Sequence, residues 1–95
     1  MADRAFYVVA YDVTDDRRRA KIARYLEAMG ERVQGSVFEA YLTAAELEKL
    51  LRKLTKVMNE EEDSVRVYIL CGACREKVRT VGRGRVTPPP GVMIV

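Results

Sequence analysis

The stretch AFYVVAYDV, residues 5–13, constrains the fold of this chain more than any other segment. It is rich in β-branched and aromatic residues, which favour a β-strand. Successive side chains of a strand point to opposite faces, and here both faces are apolar until Asp12. A strand that is apolar on both faces is covered on both sides. The stretch therefore predicts a central strand with a packed layer on each face.

A helix is predicted to follow this strand directly. Thr14 can cap its N-terminus, with Asp15 and Asp16 in the first turn, where carboxylates interact favourably with the helix dipole. Apolar residues recur at helical spacing at positions 22, 26 and 29, and Gly30 ends the helix. The start of the helix thus explains these two aspartates without any chemistry.

The next part of the chain predicts further strands and a second helix. Residues 32–42 indicate a strand that the QGS triplet breaks into two short antiparallel strands. Thr43 and Glu46 form a capping box for the second helix. NEEED, residues 59–63, indicates an acidic surface connection, and residues 64–70 indicate another strand.

The predicted order is β-α-β-β-α-β, the ferredoxin-like arrangement of the α+β class. Both helices of that fold lie on one face of an antiparallel sheet, so the other apolar face of the first strand needs a cover. A second copy of the same sheet is the simplest cover, which predicts a sheet-to-sheet homodimer. We expect residues 1–95 to form a single domain. Residues 81–95 are its tail, and their extra C-terminal strand, VMIV, packs on the partner subunit.

The distribution of charge favours a polyanionic partner such as nucleic acid. The net charge is +3, and residues 64–95 hold six basic side chains against one acidic side chain. The chain has no histidine, so catalysis would use carboxylates, Lys, Tyr, Cys or a metal ion held by oxygen. We expect a cytoplasmic location and no membrane partner, because no apolar run approaches ~20 residues and no signal-peptide pattern is present.

Asp12 is the main candidate for chemistry, since it alone of three nearby aspartates belongs to the strand. An exposed turn residue just past the strand is an equally good interpretation. Mg²⁺ often takes only one or two protein carboxylates, and a two-fold dimer could bring two copies of Asp12 together. The run RRRAK is either a solvated helix start or a phosphate-binding patch, as suits phosphodiester chemistry beside a metal. The basic residues of that patch are Arg17, Arg18, Arg19 and Lys21, with Arg32 added.

The pair Cys71 and Cys74, in CGAC, has three interpretations. Small apolar residues at the end of a strand are the favoured one. A zinc site normally needs four ligands, and the chain has no further Cys and no His. A redox pair or a disulfide is not expected in a cytoplasmic protein at this position.

Three motifs at these spacings, YDVTDDRRR, RVQGSVFE and SVRVYILC, resemble the CRISPR-associated protein-two family over residues 5–95. The resemblance implies a ferredoxin-like homodimer and a metal-dependent nuclease on RNA or DNA, with its metal-binding carboxylate at Asp12. Residues that it links to nuclease activity fall on Tyr11, Arg19, Lys21, Arg32 and Phe38. Lys21 stands where the family has Arg, which keeps the charge but loses the planar fork. The resemblance also implies a scaffold role, in which a dimer bridges two copies of the CRISPR adaptation integrase.

These observations together predict a homodimeric, Mg²⁺-dependent endonuclease of CRISPR spacer acquisition and antiviral defence. Two Asp12 carboxylates would hold the cation, while Arg19, Lys21 and Arg32 position the phosphate. One alternative is a non-catalytic scaffold that clamps DNA and docks the integrase. Another is a ferredoxin-like regulatory domain that binds a small ligand.

Overall fold

The computed structural model describes residues 3–89 and confirms the α+β, ferredoxin-like fold. In chain order the elements are β1 (Ala5–Asp12), α1 (Asp16–Met29), β2 (Glu31–Gln34), β3 (Val37–Leu42), α2 (Ala44–Val57), β4 (Ser64–Leu70) and α3 (Gly72–Glu76). The predicted break at QGS is confirmed, because β2 and β3 flank it. The short helix α3 follows β4 directly and is not among the elements predicted from the sequence.

The first strand is central, as its two apolar faces predict. The sheet has four strands in the order β2-β3-β1-β4, and every neighbouring pair is antiparallel. Strand β1 pairs along its length with both β3 and β4, for example Val9 with Phe38 on one side and with Val67 on the other. All hydrogen-bonding groups of β1 therefore face another strand, and its side chains point only to the two faces of the sheet.

Both helices pack on one face of this sheet and enclose the core. Alternate residues of β1 point into it, and Val9 is only 1% exposed. Ile22 and Leu26 of α1 meet Leu50 and Leu54 of α2 in the same cluster. The helical stripes predicted from spacing are thus the surfaces that bury the sheet.

The two helix starts differ in how well the sequence predicts them. The capping box is confirmed, because the Thr43 hydroxyl accepts from the Glu46 amide and the Glu46 carboxylate accepts from the Thr43 amide. The prediction of Thr14 as the cap of α1 is wrong by one residue. Asp15 is the N-cap, and its carboxylate accepts the amide hydrogen of Arg18 at 2.9 Å.

Asp63 corrects the interpretation of residues 59–63 as a surface connection. It is the one buried charged residue in the part of the chain that the structure describes, and its side chain is fully covered. Its carboxylate accepts hydrogen bonds from the guanidinium of Arg18 and the amides of Thr14 and Asn59. These bonds hold the pKa of Asp63 down from 3.8 to about 2, the bond from Arg18 contributing most.

Neither α1 nor α2 packs on the second face of the sheet. Val8 and Ala10 are only partly covered there, and Tyr68, the partner of Val8 on β4, is 50% exposed. Such an apolar sheet face is the surface for which the sequence predicts a second copy of the chain. The homodimer remains a prediction.

Part of the C-terminal segment, defined here as residues 79–89, lies against this second face near β3. The carboxylate of Glu39 accepts hydrogen bonds from the Thr87 amide and hydroxyl at 2.9 and 2.7 Å. The Tyr41 hydroxyl donates to the Thr87 carbonyl at 2.9 Å. The predicted strand at residues 92–95 lies outside the described residues, so its packing on a partner remains a prediction. Among residues 3–89, no helix is long and apolar enough to cross a membrane.

Candidate functional site

A cavity of about 350 Å³ opens at the end of β1, between the start of α1 and the β2–β3 turn. Its lining includes three of the residues selected from the sequence and the resemblance, Tyr11, Arg19 and Arg32. Asp16 and Gly35 complete its polar lining. Two arginines on separate elements, brought to one concave surface, make it the candidate phosphate site.

Tyr11 fixes the β2–β3 turn onto the end of β1. Its backbone amide donates to the Ser36 carbonyl at 3.1 Å, and its hydroxyl donates to the Gly35 carbonyl at 3.2 Å. The side chain is only 6% exposed. Tyr11 therefore acts on the site through the turn that it holds.

Arg32 is presented to the cavity by an irregularity in β2. It pairs with Phe38 of β3, and the register shifts between Arg32 and Gln34. The guanidinium carbon of Arg32 lies 5.2 Å from the centroid of the Phe38 ring, which also stacks on Tyr11 at 6.0 Å. Phe38 is 1% exposed, so it supports the guanidinium from below.

Arg19 reaches the same cavity from the first turn of α1. Its guanidinium donates to the Val13 carbonyl at 2.8 Å and pairs with Asp16 on the preceding turn. The carbonyl acceptor lies just past the end of β1, so the bond ties the head of the side chain to the strand that carries Tyr11. The position of Arg19 is therefore fixed relative to Tyr11.

The two arginines are loosely paired with carboxylates of the same chain. Arg19 pairs with Asp16 and Arg32 pairs with Glu27, the latter at 2.8 Å, and all four side chains are at least 43% exposed. Exposed ion pairs of this kind contribute little stability. A phosphate, which binds a guanidinium through two oxygens, can therefore replace a carboxylate at little cost.

Asp12 lies on the opposite face of the sheet from Tyr11, since neighbouring side chains of a strand alternate. It is exposed and pairs across the sheet with Ser64, while Arg66 pairs with the adjacent Ala10 position on the same face. No ion pair among residues 3–89 involves Asp12. The structure thus brings Arg19 and Arg32 together and places Asp12 across the sheet from them.

The other basic residues of the RRRAK run do not line the cavity. Arg17 and Lys21 are exposed on α1. Arg18 donates to Asp63 and Glu62, at 2.8 and 3.1 Å, and these partners raise its pKa further. Arg18 therefore joins α1 to the loop before β4, which is a structural task. Its predicted phosphate contact, like those of Arg17 and Lys21, stays a prediction.

Sequence reasoning missed two parts of the cavity. Asp16 was assigned only to the start of the helix, yet its carboxylate also lines the cavity beside Arg19. Their separation by three residues on a helix is the signal that could have indicated the pair. The carbonyl of Gly35 had no such signal, because backbone groups leave no pattern in a sequence.

The side chains available as metal ligands test the prediction of a bound Mg²⁺ ion. Within residues 3–89 no group of three or more Asp, Glu, His or Cys side chains is gathered to hold an ion. Asp12 offers one hard carboxylate per protomer, a donor type that suits Mg²⁺ and leaves most positions of the ion to water and phosphate. A single carboxylate fits a weakly held Mg²⁺ ion that takes further ligands from outside the chain, and the predicted sharing of that ion between two copies of Asp12 stays a prediction.

Comparison with known proteins agrees with the fold and the motifs. The family model described as CRISPR associated protein Cas2 matches residues 5–78. A relative from Synechocystis sp., named CRISPR-associated endoribonuclease Cas2 3, is 47% identical over 89 residues, which cover 94% of this chain and 97% of the relative.

Solved structures give the same similarity. The crystal structure of Streptococcus pyogenes Cas2 superposes with a TM-score of 0.73 and 34% identity, covering 81% of this chain and 99% of that one. A chain of a partial Cas6-RT-Cas1–Cas2 complex superposes with a TM-score of 0.76 and 30% identity, covering 96% of this chain and 98% of that one.

Proposed function

This chain belongs to the CRISPR associated protein Cas2 family, and from that premise we propose that it is a homodimeric, Mg²⁺-dependent endonuclease that cleaves RNA or DNA during CRISPR spacer acquisition. The name of the Synechocystis relative, an endoribonuclease, supports the activity. The absence of histidine from the chain favours a metal ion over an imidazole as the source of catalysis.

The observation that carries the proposal is the convergence of Arg19 and Arg32 on one cavity at the end of β1. Charge accumulates on the phosphate oxygens during phosphodiester cleavage, and fixed cations placed there stabilise the transition state. Arg19 and Arg32 bind and orient the phosphate. Tyr11 and Phe38, both buried, are positioning residues that hold the turn and the Arg32 guanidinium.

Asp12 is proposed to hold the divalent cation together with Asp12 of the second protomer. The half-exposed Tyr68 and the partly covered Val8 and Ala10 share its face of the sheet, and these apolar side chains favour a partner there. A bound Mg²⁺ would supply positive charge that polarises the phosphodiester. Since each protomer gives one carboxylate, the proposal ties activity to the dimer.

The test is cleavage by purified Asp12→Asn protein, with Glu60→Gln as the matched control. Glu60 is an exposed carboxylate of the loop before β4, so its variant makes the same change of charge away from the site. We expect Asp12→Asn to lose at least about a hundredfold in cleavage rate, as expected for removal of an electrostatic catalytic group, and Glu60→Gln to keep it. Chelation of Mg²⁺ should abolish cleavage by the parent protein. Full cleavage by a folded Asp12→Asn dimer would refute the assignment.

A non-catalytic scaffold is the second candidate function. It is favoured by the absence, among residues 3–89, of a group of three or more side chains that could hold a metal ion, and by the similarity to a chain in the partial Cas6-RT-Cas1–Cas2 complex. The same arginine cavity would then hold the backbone of a DNA duplex while the dimer docks the adaptation integrase. Spacer acquisition that survives Asp12→Asn but fails when both Arg19 and Arg32 become Gln would support the scaffold.

A further inference from the structure

Cys71 and Cys74 are exposed, so packing at the end of a strand does not account for them. Cys71 is the N-cap of α3 and Cys74 is the third residue of that helix, which follows β4 directly. A free thiol at the protein surface is accessible to oxidants. Two such thiols placed one helical turn apart therefore call for a chemical explanation.

The two cysteines are already in contact. The sulfur of Cys71 caps α3 by accepting the amide hydrogen of Cys74, with 3.4 Å between nitrogen and sulfur. This places the Cys71 sulfur beside the residue that carries the second thiol. The chain has no other cysteine, so each thiol has one intramolecular partner.

The surroundings make the two thiols unequal. Hydrogen bonds from the backbone amide and the side chain of Cys74 lower the pKa of Cys71, and the hydrogen bond to Cys71 raises the pKa of Cys74. The thiolate is the nucleophile in disulfide exchange. Because the Cys71 sulfur also accepts the Cys74 amide hydrogen at the start of α3, a bond that stabilises a thiolate, the structure favours Cys71 as the attacking thiol and Cys74 as the resolving thiol.

A cavity of about 750 Å³ lies beside the pair and gives a small molecule room to approach it. Phe6 and Ile69 provide part of its apolar lining, and two arginines also line it: Arg75, and Arg4, which is paired with Glu46 at 2.9 Å. This lining suits an anionic disulfide of low molecular weight, for which glutathione disulfide is a convenient probe.

The same turn is connected to the C-terminal segment. The guanidinium of Arg75, on α3, donates to the Tyr41 hydroxyl at 2.6 Å and lies 5.7 Å from the centre of its ring. That hydroxyl donates to the Thr87 carbonyl at 2.9 Å. A change in the first turn of α3 therefore reaches Thr87 through two hydrogen bonds.

We propose that Cys71 and Cys74 form a reversible thiol–disulfide pair that reacts with small anionic disulfides and sets how tightly the C-terminal segment is held. The Cys71 thiolate attacks one sulfur of the disulfide RSSR, a bond forms between them, and RS⁻ leaves and takes up a proton. The Cys74 thiol then loses its proton and attacks the Cys71 sulfur, which releases the second RS⁻. The dithiol is oxidised to a disulfide as RSSR is reduced to two RSH. Closing the bond draws the Cys71 sulfur from the Cys74 amide to the Cys74 sulfur, so the cap of α3 changes.

The first test treats the reduced full-length protein with glutathione disulfide and measures free thiols and intact mass after alkylation. We expect the parent protein to lose both alkylatable thiols and to retain no glutathione. Cys74→Ser should trap one glutathione on Cys71, whose sulfur still accepts the amide hydrogen of residue 74, whereas Cys71→Ser should react more slowly at neutral pH because its remaining thiol lacks that hydrogen bond. Thermal unfolding of both variants checks that they fold. Two persistent free thiols in the parent, or a disulfide formed only between chains, would overturn the proposal.

The second test measures amide hydrogen exchange of residues 79–89 in the reduced and oxidised protein. Oxidation should cause a loss of protection at Thr87, whose amide bonds to Glu39. Reduced Arg75→Ala protein should show the same loss, because it lacks the donor to Tyr41. A Cys71→Ser, Cys74→Ser double variant should not respond to the oxidant. Equal protection in the oxidised and reduced parent protein would also overturn the proposal.

Discussion

Gly30 links α1 to β2 at a point where the backbone leaves no room for a side chain. A Cβ atom placed on it would lie 2.5 Å from the Glu39 carbonyl oxygen and 2.8 Å from the Ala40 Cβ atom. Favourable contacts between carbon atoms lie at about 3.5–4.0 Å, so Gly30→Ala must push β2 from β3 by roughly 1 Å. Both neighbours belong to β3 and neither can rotate away.

This displacement determines how much stability the Gly30→Ala variant is expected to lose. Overpacking costs about 1–3 kcal/mol, and the reduced entropy of the unfolded chain offsets about 0.4–1 kcal/mol of it. Because the clash is with backbone, we expect a net loss near 2 kcal/mol in the free energy of unfolding, or roughly 8–16 °C in Tm for a domain of this size. The same displacement moves Arg32 relative to the Phe38 ring, so affinity for nucleic acid should fall as well.

Gly35→Ala is the matched control, since it makes the same substitution in the turn after β2. No atom lies within 4 Å of a Cβ atom placed on Gly35. Its backbone also accepts alanine, because Gly82 is the one glycine at positive φ among residues 3–89. We expect Gly35→Ala to raise Tm by a few degrees, because alanine lowers the conformational entropy of the unfolded chain. Thermal unfolding of both variants at one protein concentration checks this, as a dimer would make Tm depend on concentration. The steric reasoning would be refuted if Gly30→Ala were as stable as the parent protein, or if Gly30→Ala and Gly35→Ala lowered Tm by the same amount.

Three further predictions concern single contacts. The pKa of Asp63 in the folded state, about 2, lies below its ordinary value, so its carboxylate contributes stability that is complete above pH ~4 and is lost as the pH falls towards 2. Asp63→Asn should therefore flatten the acid limb of a stability–pH curve, while Glu62→Gln, at the exposed end of the same network, should leave it nearly unchanged. Arg32→Gln should weaken nucleic-acid binding equally for all sequences and reduce the slope of log affinity against log salt by about 1, measured by salt titration. Tyr11→Phe removes the bond to the Gly35 carbonyl and should lower the free energy of unfolding by about 0.5–1.5 kcal/mol in urea titrations.

Local patterns in the sequence predicted most elements correctly because local energies determine them. The two apolar faces of residues 5–13 indicated a central strand covered on both sides. Val9 lies on the face that α1 and α2 cover, whereas Tyr68 is half exposed on the other face, whose cover by a second copy stays a prediction. The Thr43–Glu46 capping box depends on four consecutive residues, so its prediction needed no knowledge of the fold.

The start of α1 could not be fixed in this way, because a distant residue decides it. Thr14 and Asp15 can each cap a helix, but the Thr14 amide donates to Asp63, 49 residues away, at 3.3 Å. That bond holds the Thr14 backbone against the loop before β4, so Asp15 is the residue that caps α1. The pairing of Arg18 with Asp63 is equally non-local, which is why one residue was predicted as a phosphate ligand and the other as part of a surface loop.

The division of the candidate site between the two faces of the sheet explains how both proposed functions can reside in one short chain. Arg19 and Arg32 converge within a single protomer, so phosphate binding needs no second copy. Asp12 stands on the opposite face with one carboxylate, so the proposed metal site would draw on the partner's carboxylate as well. A phosphate held by the arginines would reach such a site only around the end of β1. In the proposed functions, cleavage would therefore depend on dimer geometry and on the path of the bound strand, whereas holding a duplex would depend on the arginine cavity alone.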